Sequence, residues 1–303
     1  MRVWRNLVSI AFLLGMLSTK VSAAERGPWE IVSESAAANQ NVVVSTILEP
    51  EMEAALQGAP YSKRVIDNCG EAGLPSGTRI FVSDLYFPED YPGSGGGDNC
   101  ILHRHSNTYI TGLTTLNSAW SPMSVVGVRP SPFYATRGNF SVPTLFLSGA
   151  ANLEDQPIQV LQVRLQDFRY GILLFPNATS IGSIEHTIDE ILSPPYPSNL
   201  LAGGLQPIRL QIPSFVVRTD VRRDDLSSRS PRAVKIVTLL SFNQDGVGSR
   251  NNWPPLSRGR NYDMRSTPPV SIVLNHPFFY AIVRYDTRSL LFAGYLARPM
   301  LNY

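Results

Sequence analysis

The stretch from Asn275 to Pro299 constrains the fold more than any other part of the chain. Two segments, 278–285 and 289–296, are rich in aromatic, β-branched and large apolar residues, and a short polar turn, Asp286-Thr287-Arg288, joins them. That composition predicts a β-hairpin. Neither segment alternates cleanly between apolar and polar residues, so both faces are expected to be covered and the hairpin to lie in a core.

The other end reads as a secretory signal. Arg2 and Arg5 form a positive start, residues 7–17 an apolar run, and Val21-Ser22-Ala23 a small-residue cleavage site. The apolar run is shorter than the roughly 20 residues a bilayer needs, and no second run reaches that length. The expectation is a secreted protein with no membrane span: signal peptide 1–23, then one domain over 24–303. Of 303 residues, 280 then remain, enough for one sizeable core. The formal charge is +2, but 1–23 carry Arg2, Arg5 and Lys20 and no acid, so the remainder sits at −1 and a general nucleic-acid or polyanion role loses support.

Two cysteines in an oxidising compartment predict a Cys69–Cys100 disulfide. Asn139-Phe140-Ser141 and Asn177-Ala178-Thr179 are N-glycosylation acceptors. Cys100, His103 and His105, with Cys69, could be written as four zinc ligands, but their spacing is irregular, and the reading adopted is no metal and a solvated loop. The Gly-rich run 93–97 lacks the Gly-Lys-Ser/Thr of a phosphate loop and precedes no helix, so no nucleotide cofactor is expected. No nucleophile elbow or Ser/His/Asp set is identifiable by spacing, so no enzyme is expected. Arg218, Arg222, Arg223, Arg229 and Arg232 could form a polyanion patch, but Asp220, Asp224 and Asp225 dilute it, and a mixed-charge solvated loop is the better reading.

Along the chain, strands are expected at 41–45, 77–87, 109–120, 140–147, 160–165, 171–175, 208–217 and 233–242. Helices are expected at 51–56 and at 181–192, the latter with Ile184, Ile188 and Ile191 on one face and Pro194-Pro195 as its stop. Residues 88–99 and 243–269 read as loops. The class is α+β, strand-rich, with few helices.

The terminal wording, His276-Pro277-Phe278-Phe279 and then Leu291-Phe292-Ala293-Gly294 with Pro299, resembles the C-terminal signature of the serpin family. Upstream, Pro132-Phe133-Tyr134 with Phe140-Ser141-Val142-Pro143, Val160-Leu161-Gln162-Val163, Gly171-Ile172-Leu173-Leu174-Phe175-Pro176, and Ile208 to Phe215 are similar to further family stretches in the same order. Leu116-Asn117-Ser118-Ala119 and the looser 41–45 extend the likeness. The resemblance implies a serpin-like fold of mostly antiparallel sheets, here with a reduced set of helices because the chain is short. It also implies an exposed reactive loop over 243–269. A shutter-like pair, Ser45 and Asn117, is implied too. The family's proline after Ser45 is Thr46 in this chain, and its shutter histidine aligns with Ile236.

In that family an inhibitory loop inserts into a central sheet after cleavage, which requires small hinge residues. The hinge here is Gly246, Val247, Gly248, Ser249 and Arg250, followed by Pro254-Pro255. Arg250 is expected to carry charge toward a packed interior, and each proline removes a ladder donor. The resemblance therefore implies a secreted monomer that binds, carries or is cut rather than one that traps proteases efficiently. The alternative is an inhibitor of an extracellular trypsin-like protease. Its scissile bond would be Arg260–Asn261, or would follow Arg258.

Overall fold

In the computed structural model, the residues described here are 27–47, 97–104, 109–120, 123–154, 158–165, 170–193, 204–225, 232–248 and 268–299. They form fourteen strands and two helices. The expected segments 51–56 and 77–87, Cys69, His105 and the loop candidates Ser249, Arg250, Arg258, Arg260 and Asn261 lie outside them.

The terminal hairpin is the spine of a nine-stranded sheet. Phe278–Arg284 (β13) and Ser289–Leu296 (β14) pair antiparallel. On the far side of β14 lies Val42–Ser45 (β1). Beyond β13 come Tyr170–Phe175 (β7), Val160–Arg164 (β6), Gly138–Glu154 (β5), Leu205–Pro213 (β8) and Val270–Val273 (β12), with Ser124–Ala135 (β4) also paired to β5. All these pairings are antiparallel except β8 with β12. The expected adjacency of 160–165 and 171–175 in one core with the hairpin is what the structure shows.

Gly97–Arg104 (β2), Tyr109–Ala119 (β3), Phe215–Asp225 (β9), Arg232–Asn243 (β10) and Gly246–Val247 (β11) form a second sheet, in the order β2-β3-β11-β10-β9. The core lies between the two sheets and includes Leu116, Trp120, Phe215, Leu240, Phe242, Phe278, Tyr280 and Phe292. The opposite face of the nine-stranded sheet is covered by Pro28–Ala37 (α1) and Ile181–Leu192 (α2), which bury Trp29, Val32, Ile184, Ile188 and Ile191. Ser180 caps α2 by accepting from the Ser183 N–H at 3.5 Å. The signature glycine of the hairpin has a steric reason. Gly294 sits opposite Tyr280, and a Cβ there would overlap the Tyr280 ring.

Four expectations need correction. Residues 97–99 and the Cys100–His103 stretch are not loop: they belong to β2, because the ladder with β3 runs from Gly97↔Asn117 to Arg104↔Ile110. The Arg218–Asp225 segment is strand rather than solvated loop, and Arg232 opens β10. Val217 is buried, while Arg218, Asp220 and Arg222 are exposed, a period-two alternation that the charges disguise. Residues 208–217 are two strands in two different sheets, turning at Ser214. The start of 243–269 is not exposed loop, since Asn243 ends β10 and Gly246, Val247 and Gly248 are buried.

Candidate functional site: the hinge wedged between β3 and β10

The hinge begins with a tight hairpin. Asn243 pairs with Gly246 and Phe242 with Val247, so Gln244 and Asp245 make the turn. The Asn243 carboxamide organises it. Its Oδ1 accepts from the backbone N–H of Asp245 at 2.9 Å and of Gly246 at 3.2 Å, and its Nδ2 donates to the Gly248 carbonyl at 2.9 Å. Gly246 and Gly248 have φ of 147° and 115°, conformations that side chains rarely adopt, which is why this turn needs both glycines. The Trp120 indole N–H donates to the Asn243 carbonyl at 2.8 Å, tying the turn to the end of β3.

β11 then enters the sheet. It pairs antiparallel with β10 on one side and with β3 on the other, through Gly246↔Ala119 and Val247↔Ser118. Val247 is fully buried beside Phe242, whose ring stacks on Phe215 at 4.5 Å. Below this wedge the two long strands close directly on each other in parallel, from Ala233↔Tyr109 to Thr238↔Thr114. At the point of closure Thr114 Oγ1 donates to Thr238 Oγ1 at 3.1 Å, and both residues are buried. This hydroxyl pair is the side-chain clasp of the lane. Neither threonine was singled out by sequence; nor were Asn243 and Trp120.

The residues singled out around the lane have other attachments. Ser45 is 8 % exposed, and its Oγ accepts from the Ile47 N–H at 3.2 Å. Thr46 hydrogen-bonds β14 through both its groups: its N–H donates to the Leu291 carbonyl at 3.0 Å, and its hydroxyl to the Leu290 carbonyl and, at 3.4 Å, to that of Leu291. A proline at 46 could make none of these bonds. Ile236 is buried on β10, so this position has no imidazole to titrate. Asn117 is placed by its backbone on β3, opposite Gly97.

Toward the edge, β9 carries one charge cluster. Asp220 accepts from Arg218 at 3.0 Å and pairs with Lys235 at 2.7 Å. Burial pushes the Asp220 carboxyl up, but the hydrogen bonds and charges of Lys235 and Arg218 together hold it below the usual carboxylate range. Both glycosylation candidates are exposed: Asn139 at the tip of the β4–β5 hairpin and Asn177 in the turn after β7. Among the described residues no group of three or more His, Cys, Asp or Glu is placed to hold a metal, and no helix is long and apolar enough to cross a membrane.

No family model and no curated protein matches the sequence. Among solved structures the chain is similar to serpins. A serpin from the trematode Schistosoma haematobium matches with 14% identity over 63% of this chain and 57% of its own, at a TM-score of 0.47. Serpin48 of the insect Tenebrio molitor matches with 15% identity over 64% and 56%, at 0.44. Thyroxine-binding globulin in complex with thyroxine matches with 14% identity over 64% and 57%, at 0.43. The matched part thus spans a little over half the length of each of these structures.

Proposed function

We propose that this chain is a secreted serpin-fold protein, not an enzyme, that acts by binding or as a cleavable substrate and does not trap proteases efficiently. The observation that carries this reading is the register of β11. Gly246↔Ala119 and Asn243↔Gly246 fix how any further length of the hinge would have to enter the lane. Carried on residue by residue, Arg250 falls opposite Thr115 and Leu239, Asn251 opposite Thr114 and Thr238, and Pro254 and Pro255 opposite Thr111/Lys235 and Ile110/Val234.

This register changes where the penalty lies. Arg250 is three residues beyond Val247 and so takes the opposite face, beside the half-buried Thr115 and Leu239 rather than in the core. The proline pair becomes the main obstacle. Successive residues of a central strand present their N–H groups to opposite neighbours, so Pro254 and Pro255 lose one ladder bond on each side. Each acceptor left without a donor costs about 1–3 kcal/mol, so the lower rungs of the lane lose roughly 2–6 kcal/mol. Insertion then stalls after Trp253, with the bottom of the β3–β10 pairing unreplaced.

The inhibitor reading has one observation in its favour. β11 lies paired between β3 and β10, and a strand continuing its register would bring Asn251, whose carboxamide is both donor and acceptor, opposite Thr114 and Thr238. In that case Arg260–Asn261, or the bond after Arg258, is the bait for an extracellular trypsin-like protease. Incubation with trypsin followed by denaturing electrophoresis decides between them. Nicking at Arg258 or Arg260 without an adduct fits the proposal, whereas a denaturation-resistant covalent complex refutes it.

A further inference from the structure

The tip of the β4–β5 hairpin sets an exposed tripeptide beside an exposed ring. Along Asn139-Phe140-Ser141 the side chains alternate: Asn139 and Ser141 are exposed, while Phe140 is half-buried and packs against the core. Across the ladder Tyr134 faces Asn139 and Pro132 faces Ser141, and both are exposed as well. The Tyr134 N–H donates to the Asn275 carbonyl at 2.7 Å, on the side of β4 away from β5. Tyr134 and Asn139 are therefore a pair without mutual backbone bonds. In such pairs the facing Cα atoms lie only about 4.5 Å apart and the side chains come closest.

The Tyr134 ring is held in place. His276, the residue after Asn275, stacks on it with centroids 5.2 Å apart and planes at 28°, and the His276 Nδ1 is hydrogen-bonded to Asn275 Oδ1 at 2.7 Å. His276 thus backs the ring from the side of β4 away from Asn139. The Thr136 hydroxyl donates to Asn39 Oδ1 at 3.1 Å, tying the tip to the turn after α1. The ring is still 39% exposed, one of five large apolar side chains left exposed among the described residues. A fixed aromatic face, open to solvent and directly across from the asparagine of an Asn-x-Ser triplet, offers a platform to whatever that asparagine carries.

We infer that Asn139 carries an N-linked glycan whose first N-acetylglucosamine packs on the Tyr134 ring and bridges β5 to β4. In the transfer, Asn139 Nδ2 attacks the anomeric carbon of an oligosaccharide carried on a lipid diphosphate. The N–C bond forms, the C–O bond to the diphosphate breaks, and the nitrogen gives up one proton as the lipid diphosphate leaves. Transfer acts on the extended chain, so the folded structure governs what the sugar then touches. The C–H groups of a pyranose are attracted to the negative face of an aromatic ring, and the sugar covers apolar ring surface that is otherwise wet. Asn177, the other acceptor, lies in the turn after β7, outside the ladder, and its Nδ2 donates to Gln159 Oε1 at 3.3 Å. The inference rests on the secreted part of the proposed function, because the lipid-linked donor is met on the secretory route; it does not depend on the fate of the loop.

The test is peptide mapping of the full chain secreted from eukaryotic cells that make high-mannose glycans, followed by thermal melts. Asn139 should be occupied. An endoglycosidase that leaves a single N-acetylglucosamine on each asparagine should leave Tm unchanged. Asn139→Gln should lower Tm by about 2–4 °C, because it removes the sugar that touches Tyr134. In a Tyr134→Ala background that loss should vanish, and Asn177→Gln should leave Tm unchanged. Should Tyr134→Ala fail to fold, the trimming comparison on the unaltered protein decides alone. If residues 1–23 do not bring the chain out of the cell, the secreted reading falls, and the same assays on the full chain behind an established secretory leader still decide the glycan. The inference is overturned if Asn139 is unoccupied in the secreted chain, or if trimming to one sugar lowers Tm as much as Asn139→Gln does. It is overturned equally if Asn139→Gln has the same effect with and without the Tyr134 ring, or if Asn177→Gln matches it.

Discussion

Replacing Pro254 and Pro255 together by alanine should convert a loop that stalls into one that inserts. In an inserted strand continuing the register of β11, the two positions would face Thr111 and Lys235, and Ile110 and Val234, one donor on each side of the lane. Restoring both N–H groups recovers roughly 2–6 kcal/mol that the cleaved, inserted form of the unaltered protein forgoes. In a chain of this size 1 kcal/mol moves Tm by about 2–4 °C, so the nicked variant should melt on the order of 5–20 °C above its intact form. The nicked unaltered protein should melt within a few degrees of the intact one. The assay is a thermal melt followed by tryptophan fluorescence or circular dichroism, before and after limited trypsin digestion, with both chains checked for cleavage at Arg258 or Arg260. Pro254→Ala alone should give about half the gain, since it restores one side only. If the unaltered protein already gains as much on nicking as the double variant, the prolines are no obstacle and the register argument is wrong.

Three further outcomes follow from the fold and the hinge. Gly294→Ala should destabilise the protein by about 3 kcal/mol or more, because the added methyl overlaps the ring of Tyr280, which is fully buried and bonded to the Val42 carbonyl; urea melts read this, and a change under about 1 kcal/mol would contradict the packing. Asn243→Ala removes three hydrogen bonds from the turn, so amide exchange at Gly246 and Val247 should accelerate by about tenfold or more while β13 amides stay protected; unchanged exchange would mean that the glycines alone hold the wedge. The Asp220 carboxyl titrates below its ordinary value in the folded state, so its contribution is present above about pH 4 and is lost as pH falls through the folded value. Asp220 is 35% exposed, so Asp220→Asn should flatten the acid limb of the stability profile by under about 1 kcal/mol, and by less in 1 M salt; an effect confined to pH above 6 would point to another group.

What the sequence disclosed and what it hid divide along physical lines. α2 was legible to the residue because Ile184, Ile188 and Ile191 recur at helical spacing in front of a double proline, and the terminal hairpin because its composition admits little else. β4 was hidden by Pro130 and Pro132, which read as breakers. They are tolerated because, among the described residues, β4 is paired as a strand only with β5, and both prolines share the parity of Tyr134, whose N–H points away from β5 to the Asn275 carbonyl at 2.7 Å. β9 was hidden by its charges, although Val217, Thr219 and Val221 alternate with Arg218, Asp220 and Arg222 as a strand with one wet face must. α1 buries only Trp29 and Val32, too little apolar periodicity to announce a helix.

The hinge candidate is the instructive case, because Gly246, Val247 and Gly248, expected in an exposed loop, are buried. Two residues of strand cannot be recognised by period, and nothing local to Gly246 and Val247 reveals that β3 and β10 leave a slot of their width above the Thr114–Thr238 clasp. That slot is a property of two strands more than a hundred residues apart in the chain, and it alone converts composition into register. Composition set the Arg250 charge beside the proline pair as obstacles to insertion. An inserted strand continuing the register of Gly246 and Val247 would instead put Arg250 opposite the half-buried Thr115 and Leu239 and Asn251 opposite Thr114 and Thr238, which would leave the objection to the proline pair. The consequence is sharp: Arg250→Ala should change neither the fate of a bound protease nor the Tm of the nicked protein by more than a few degrees, while the proline variants change both. A thermal gain with Arg250→Ala equal to that of the double proline variant would return the charge to the interior and reject the register.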